Sequence, residues 1–160
     1  MEDILNKESV KRVQKALDEF SNDIKAIVLS SSARTAQQAA TSLNTEVGSI
    51  VKSLLFKTED GFVLCLVSGD KRCSLNKLKK IKNQKDISMA DPETVKKITG
   101  FTIGGVSPVG HLQEIEIFID KDLSRFSDIF AAAGHPNCIF KINFDNLIKI
   151  TKGAVKNIIE

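Results

Sequence analysis

At 160 residues and 42% hydrophobic content, the chain can bury one proper core and is too short for two domains of ordinary size. Its opening MEDILNKESV lacks the basic start and apolar run of a signal peptide, and no apolar stretch approaches the ~18 residues of a membrane span; a single cytoplasmic domain over residues 1–160 is expected. The formal charge of +3 is held unevenly, because residues 71–85 carry seven basic side chains and no acid, leaving the remainder net negative.

Val10, Val13, Leu17 and Phe20 share one helical face and predict a helix over residues 9–20, followed by a short buried strand over 26–30. Thr35 and Gln38 form a capping-box pattern for a second helix ending near Asn44. Two β-rich runs, 50–58 and 62–68, are joined through Glu59, Asp60 and Gly61 as a hairpin, with Lys52 in its first strand. From Leu75 onward, Leu75, Leu78 and Ile81 recur at intervals of three, which predicts a helix with Lys77, Lys79, Lys80 and Lys82 facing solvent. A brief strand near Ile87 precedes a helix with Asp91 as N-cap, Pro92 at its first position and Gly100 at its close. Strands over 115–119 and 129–133 lead to a GHPN turn, a strand over 138–142 and a helical C-terminal tail. This alternation, free of repeats and low-complexity linkers, predicts a compact α/β domain.

The glycine-rich segment GFTIGGVSPVGH, residues 100–111, completes no standard enzyme motif. As a phosphate loop it has His111 and Leu112 where lysine and Ser/Thr belong, and as a dinucleotide fingerprint its Gly104 and Gly105 are wrongly adjacent. As a nucleophile elbow, Gly105, Ser107 and Gly110 give one residue too many, and Pro108 removes an N–H that the oxyanion hole needs. Cys65, Cys73 and Cys138 are odd in number and lack C-x-x-C spacing, so free thiols are expected. Together with two scattered histidines they show no metal spacing, and neither metal nor cofactor is expected. Taken alone, Lys52 reads as an edge or surface lysine, the basic helix as a solvated face and the glycine loop as a tight turn. The absence of Trp and Tyr argues against an aromatic base-stacking surface.

What remains is a G-x-x-x-P loop from Gly104 to Pro108. With TAQQAATSLN at 35–44, IVKSLLF at 50–56 and AAAGHPN at 131–137, it makes the chain resemble the YbaK/ProX family of aminoacyl-tRNA editing domains over nearly its whole length. The resemblance implies a mixed, barrel-like β-sheet flanked by helices, and a freestanding deacylase that hydrolyses the aminoacyl ester at the 3′ end of mischarged tRNA. Lys52 is implied as the catalytic cation, holding the carbonyl oxygen or the terminal phosphate. Substrate binding is implied for Thr35, for Gly104, Gly105, Val106, Ser107 and Pro108 of the loop, and for Gly134, His135 and Pro136 of the turn. Phosphates of the tRNA would meet Lys71, Arg72, Lys77, Lys79, Lys80 and Lys82. An aminoacyl-tRNA synthetase is a further implied partner. Neither His111 nor His135 has a triad partner in sequence; in the family, the substrate's own ribose hydroxyl is thought to help activate water. Ile139 stands where the Cys-tRNA deacylases carry an acid, which speaks against Cys-tRNA specificity. The alternative is a non-catalytic member that binds tRNA or a protein partner, the arrangement expected if Lys52 points away from the loop.

Overall fold

The computed structural model describes residues 3–160. Helix α1 (Glu8–Phe20) buries Val10, Val13 and Leu17, whereas Phe20 at its last turn is half-exposed. Strand β1 (Ile27–Val28) departs from the expectation of a buried strand, since both its residues are exposed. It is a two-residue edge strand with a partner on one side only. Helix α2 (Ala36–Leu43) starts where the Thr35 hydroxyl accepts the Gln38 N–H at 3.1 Å and ends at Asn44 in the left-handed region.

Strands β2 (Val51–Lys57) and β3 (Phe62–Ser68) form the expected hairpin. All five residues from Val63 to Val67 are fully buried, because β3 is covered on both faces. Leu64 and Leu66 enter the main core, while Val63, Cys65 and Val67 enter a second cluster with Leu78 of helix α3 (Leu75–Lys82). Such double coverage explains why FVLCLV shows no polar alternation. Strand β4 (Ser88–Met89) and helix α4 (Pro92–Thr99) come next, with the Asp91 carboxylate accepting the Thr94 N–H at 2.7 Å. Then come β5 (Glu116–Asp120), β6 (Ile129–His135), β7 (Cys138–Ile142) and α5 (Phe144–Thr151).

The chain ends differently from the expected helical tail. After α5 stops at Lys152, with φ of 56°, residues Ala154–Lys156 form strand β8 and pair in parallel with β5. The buried Asp120 carboxylate fixes the last residues of the chain by accepting the Ile158 N–H at 2.9 Å. Eight strands divide into a five-stranded mixed sheet in the order β4-β2-β3-β5-β8 and a three-stranded antiparallel sheet in the order β1-β7-β6. A single bridge between Ile50 and Phe130 links the two sheets. The main core lies between them, closed by α1 and α4. The result is a mixed α/β domain with five α-helices around two sheets, and the opening at the edge of β2 holds the candidate site.

Candidate active site

Strand alternation sends Val51 and Leu55 into the main core and Leu54 and Phe56 toward the second cluster. Lys52 falls on the latter face and is half-buried. Its amine donates to the Lys71 carbonyl, which the turn after β3 presents. That turn is tied down by the Arg125 guanidinium, 2.9 Å from the Asp70 carboxylate and 2.9 Å from the Ser68 hydroxyl. Burial holds Lys52 below the usual lysine range, with Cys73 and Asp70 pulling the other way.

Beside Lys52 the sheet is open. Strand β4 pairs with β2 only at Phe56 and Lys57, and Ala90 adds one N–H to the Leu55 carbonyl at 3.0 Å. The stretch from Val51 to Leu54 therefore forms one wall of a cavity of about 370 Å³. Thr35 and Ala36 at the start of α2 form a second wall, and Ile103, Gly104 and Val106 a third. Met89 and Ile103, both more than half exposed, form an apolar rim. Among the described residues, no Asp or Glu lines this cavity.

The loop holds its shape through buried anchors. Phe101, Val106 and Val109 are in the core, the Gly105 N–H donates to the Thr102 carbonyl at 2.9 Å, and the buried Ser107 hydroxyl accepts the Val109 N–H at 3.1 Å. Gly105 packs directly on the backbone of His135, where a Cβ would lie 2.9 Å from the His135 nitrogen. Gly104, with φ of +95°, lies under the side chain of Arg34, and a Cβ there would meet the Arg34 Cγ at 2.6 Å.

Of the residues singled out in the sequence, Lys52, Thr35, Gly104 and Val106 line this one cavity. Gly105 and Ser107 do not, because they form the buried underside of the loop. Pro108 faces a separate cleft between α1 and α5, together with His111. The GHPN turn supports the site from behind. Gly134 accepts from the Ser9 hydroxyl at 2.8 Å, the His135 Nδ1 accepts the Asn137 N–H at 3.0 Å, and the Pro136 carbonyl accepts the Ala33 N–H at 2.8 Å. Gly134, His135 and Pro136 thus stand outside the lining of this cavity and behind its glycine loop. His111 is occupied too, with Nε2 2.7 Å from the Ser107 carbonyl and its ring edge-on to Phe101. Burial lowers its pKa, against the opposing pull of that hydrogen bond. Ile139 is buried on β7 and does not reach the cavity.

The basic segment divides. Lys77 donates to the Ile159 carbonyl and to Asn157, and Lys82 pairs with Glu116 at 2.5 Å, so both are held by the protein itself rather than facing solvent unpaired. Lys80 and Arg72 are exposed, and Lys79 and Lys71 half-buried. Two cavity residues escaped sequence reading. Arg34 lies at the rim, and its position immediately before the Thr35 N-cap was the available signal. The Ser53 hydroxyl is buried in the β2 wall without a hydrogen-bond partner among the described residues; one step beyond Lys52, it had no signal of its own. Cys65 and Cys138 are buried and Cys73 half-buried, all as free thiols. No group of three or more His, Cys, Asp or Glu among the described residues is placed to hold a metal ion, and no described helix is long and apolar enough to cross a membrane.

The fold and site together define an α/β domain with a mostly apolar cavity lined by Lys52, Arg34 and residues of a glycine loop. The chain belongs to the aminoacyl-tRNA editing domain family, whose model matches residues 30–150. It is 41% identical over 120 residues to the proline–tRNA ligase of Thermosipho africanus, a match that covers 74% of this chain and 21% of the ligase. The chain thus spans about a fifth of the length of such ligases. It is 30% identical over 135 residues to the uncharacterized protein YwhH of Bacillus subtilis, covering 84% of this chain and 85% of that protein. A crystal structure provisionally described as a trans-editing enzyme for prolyl tRNA synthetase superposes with a TM-score of 0.91 at 39% identity, over 96% of this chain and 98% of that one.

Proposed function

We propose that this editing domain hydrolyses the ester between a wrongly attached amino acid and the 3′-terminal ribose of tRNA, acting in trans on a tRNA for proline. The observation that carries this reading is the meeting of Lys52 with Gly104 and Val106 around one largely apolar cavity with no acid among its described lining residues. The proline assignment rests on the names of the relatives.

An aminoacyl ester is already activated, so the site needs to position it, stabilise the oxyanion and admit a water. The amino-acid side chain enters between Val51, Leu55 and Val95, and the apolar rim at Met89 and Ile103 meets the terminal base. As an ammonium, Lys52 has three donors and gives one to the Lys71 carbonyl, leaving two for the carbonyl oxygen of the ester. Water adds to the acyl carbon, negative charge collects on that oxygen, and the C–O bond to ribose breaks to release the amino acid and tRNA. The neighbouring ribose hydroxyl supplies the proton relay, consistent with the engagement of His111 Nε2 and His135 Nδ1 within the protein. A panel of aminoacyl-tRNAs, each assayed for amino-acid release, tests the reading. Release of a non-cognate amino acid from tRNA for proline is expected. Tight tRNA binding without release from any member of the panel would favour the non-catalytic binder.

The basic segment yields a separate prediction. Lys79 and Lys80 are in no ion pair among the described residues, so the double substitution Lys79→Glu, Lys80→Glu should weaken tRNA binding. Each lost phosphate contact reduces the salt slope by about 0.7–0.9. Affinity measured over a salt series checks this, and an unchanged slope returns the helix to a solvated face.

A further inference from the structure

We propose that Arg34 binds the phosphate on the 5′ side of the terminal nucleoside, across the cavity from Lys52, an inference that rests on the proposed editing reaction. Two cations, Arg34 and Lys52, line a cavity that has no acidic residue among its described lining. Cations gathered without counter-charge suit a ligand that brings its own negative charge. The aminoacyl ester offers two such charges of different kinds. The phosphodiester is a permanent anion, and the carbonyl oxygen becomes anionic only as water adds.

The two side chains match these two charges. Lys52 is half-buried on a strand, with its amine already oriented by the Lys71 carbonyl, as a transient oxyanion requires. Arg34 is exposed at the rim, where the polynucleotide must leave the cavity. Its planar guanidinium presents paired donors that fit phosphate oxygens. Arg12 and Arg125 are committed to protein carboxylates, Arg12 to Glu8 at 2.5 Å and Arg125 to Asp70 at 2.9 Å. Arg34 forms no ion pair among the described residues. The missing side chain at Gly104 also gives the Arg34 stem a seat, since a Cβ there would lie 2.6 Å from Cγ. Stem packing of this kind limits the rotamers lost when phosphate binds. Thr35 and Ala36 place the positive end of the α2 dipole on the same wall, adding to the attraction.

The test compares Arg34→Ala and Arg34→Lys with wild type on three esters of the same amino acid: aminoacyl-tRNA, aminoacylated cytidylyl-adenosine with one internucleotide phosphate, and aminoacyl-adenosine with none. For Arg34→Ala, KM is expected to rise about tenfold on the first two, as for loss of a charge-assisted hydrogen bond, with kcat little changed. The adenosine ester should be unaffected. Arg34→Lys should recover part of the loss, and the salt slope for the dinucleotide should fall by about 0.7 in Arg34→Ala. Equal losses on all three esters, or no loss on any, overturn the assignment. Binding of unacylated cytidylyl-adenosine against adenosine decides the same question without hydrolysis. If wild type releases no amino acid from any ester, the proposed reaction fails, while this binding comparison still decides Arg34.

Discussion

Lys52→Ala is expected to slow single-turnover deacylation by about 10²–10³-fold, the usual cost of removing one preorganised donor from a developing oxyanion. The amine is half-buried, held by the Lys71 carbonyl and backed by the ion-paired turn at Asp70, so its replacement by water would not reproduce its orientation. Because the carbonyl oxygen gains charge only as water adds, substrate affinity should change much less than the rate. Lys52→Met is the appropriate companion, since it keeps an apolar stem of similar length and removes the charge. Saturating enzyme and rapid quench measure the relevant step. Near-wild-type rates in both variants would remove Lys52 from the chemistry.

The pH dependence derives from the same residue. Burial lowers the Lys52 pKa, so the ammonium is lost as pH rises through a value below the ~10.4 of an ordinary lysine. The proposed mechanism uses the ammonium, so activity is expected to decline over that interval. Stability has the opposite sign, because the unfolded chain holds the proton more tightly than the folded one, and between the two pKa values Lys52 adds stability as pH rises. A fall in single-turnover rate without loss of fold is therefore the expected alkaline signature, absent from Lys52→Met. A flat profile through this range would show that the charge is not used.

Helix ends were legible in the sequence because capping is local. Thr35, Asp91 and Gly100 act within three or four residues of their partners, and each stands where the spacing predicted. Strand β8 was not legible, since three residues carry no usable period and its pairing with β5 joins positions over thirty residues apart. The same distance problem hid the ties of Lys77 and Lys82, whose partners lie 82 and 34 residues away. The cavity was legible only in outline. Family motifs pointed to Lys52 and to the glycine loop, but a motif does not distinguish a residue that lines a cavity from one that supports it. Gly134, His135 and Pro136 belong to a family motif as Gly104 does, yet they brace α1 and the segment before α2. Arg34 and Ser53 acquire meaning only when the open edge of β2 is brought beside α2.

That supporting role carries its own large expected effect. In Gly105→Ala the new methyl group would stand 2.9–3.1 Å from the N, Cα and C atoms of His135. These are backbone atoms at the end of the β6–β7 hairpin, where His135 pairs with Cys138, so the hairpin cannot yield as a flexible side chain would. The loop must move instead, and its neighbours Gly104 and Val106, which line the cavity, move with it. A displacement of about 1 Å at positions that set the reacting geometry can cost about 10²-fold in rate. Gly105→Ala is expected to approach that loss without touching substrate. Thermal unfolding measured beside single-turnover rates separates a displaced loop from a lost fold: the rate should fall while a cooperative transition persists. A variant that keeps both its transition and its wild-type rate would show that the position of this loop does not set the reacting geometry.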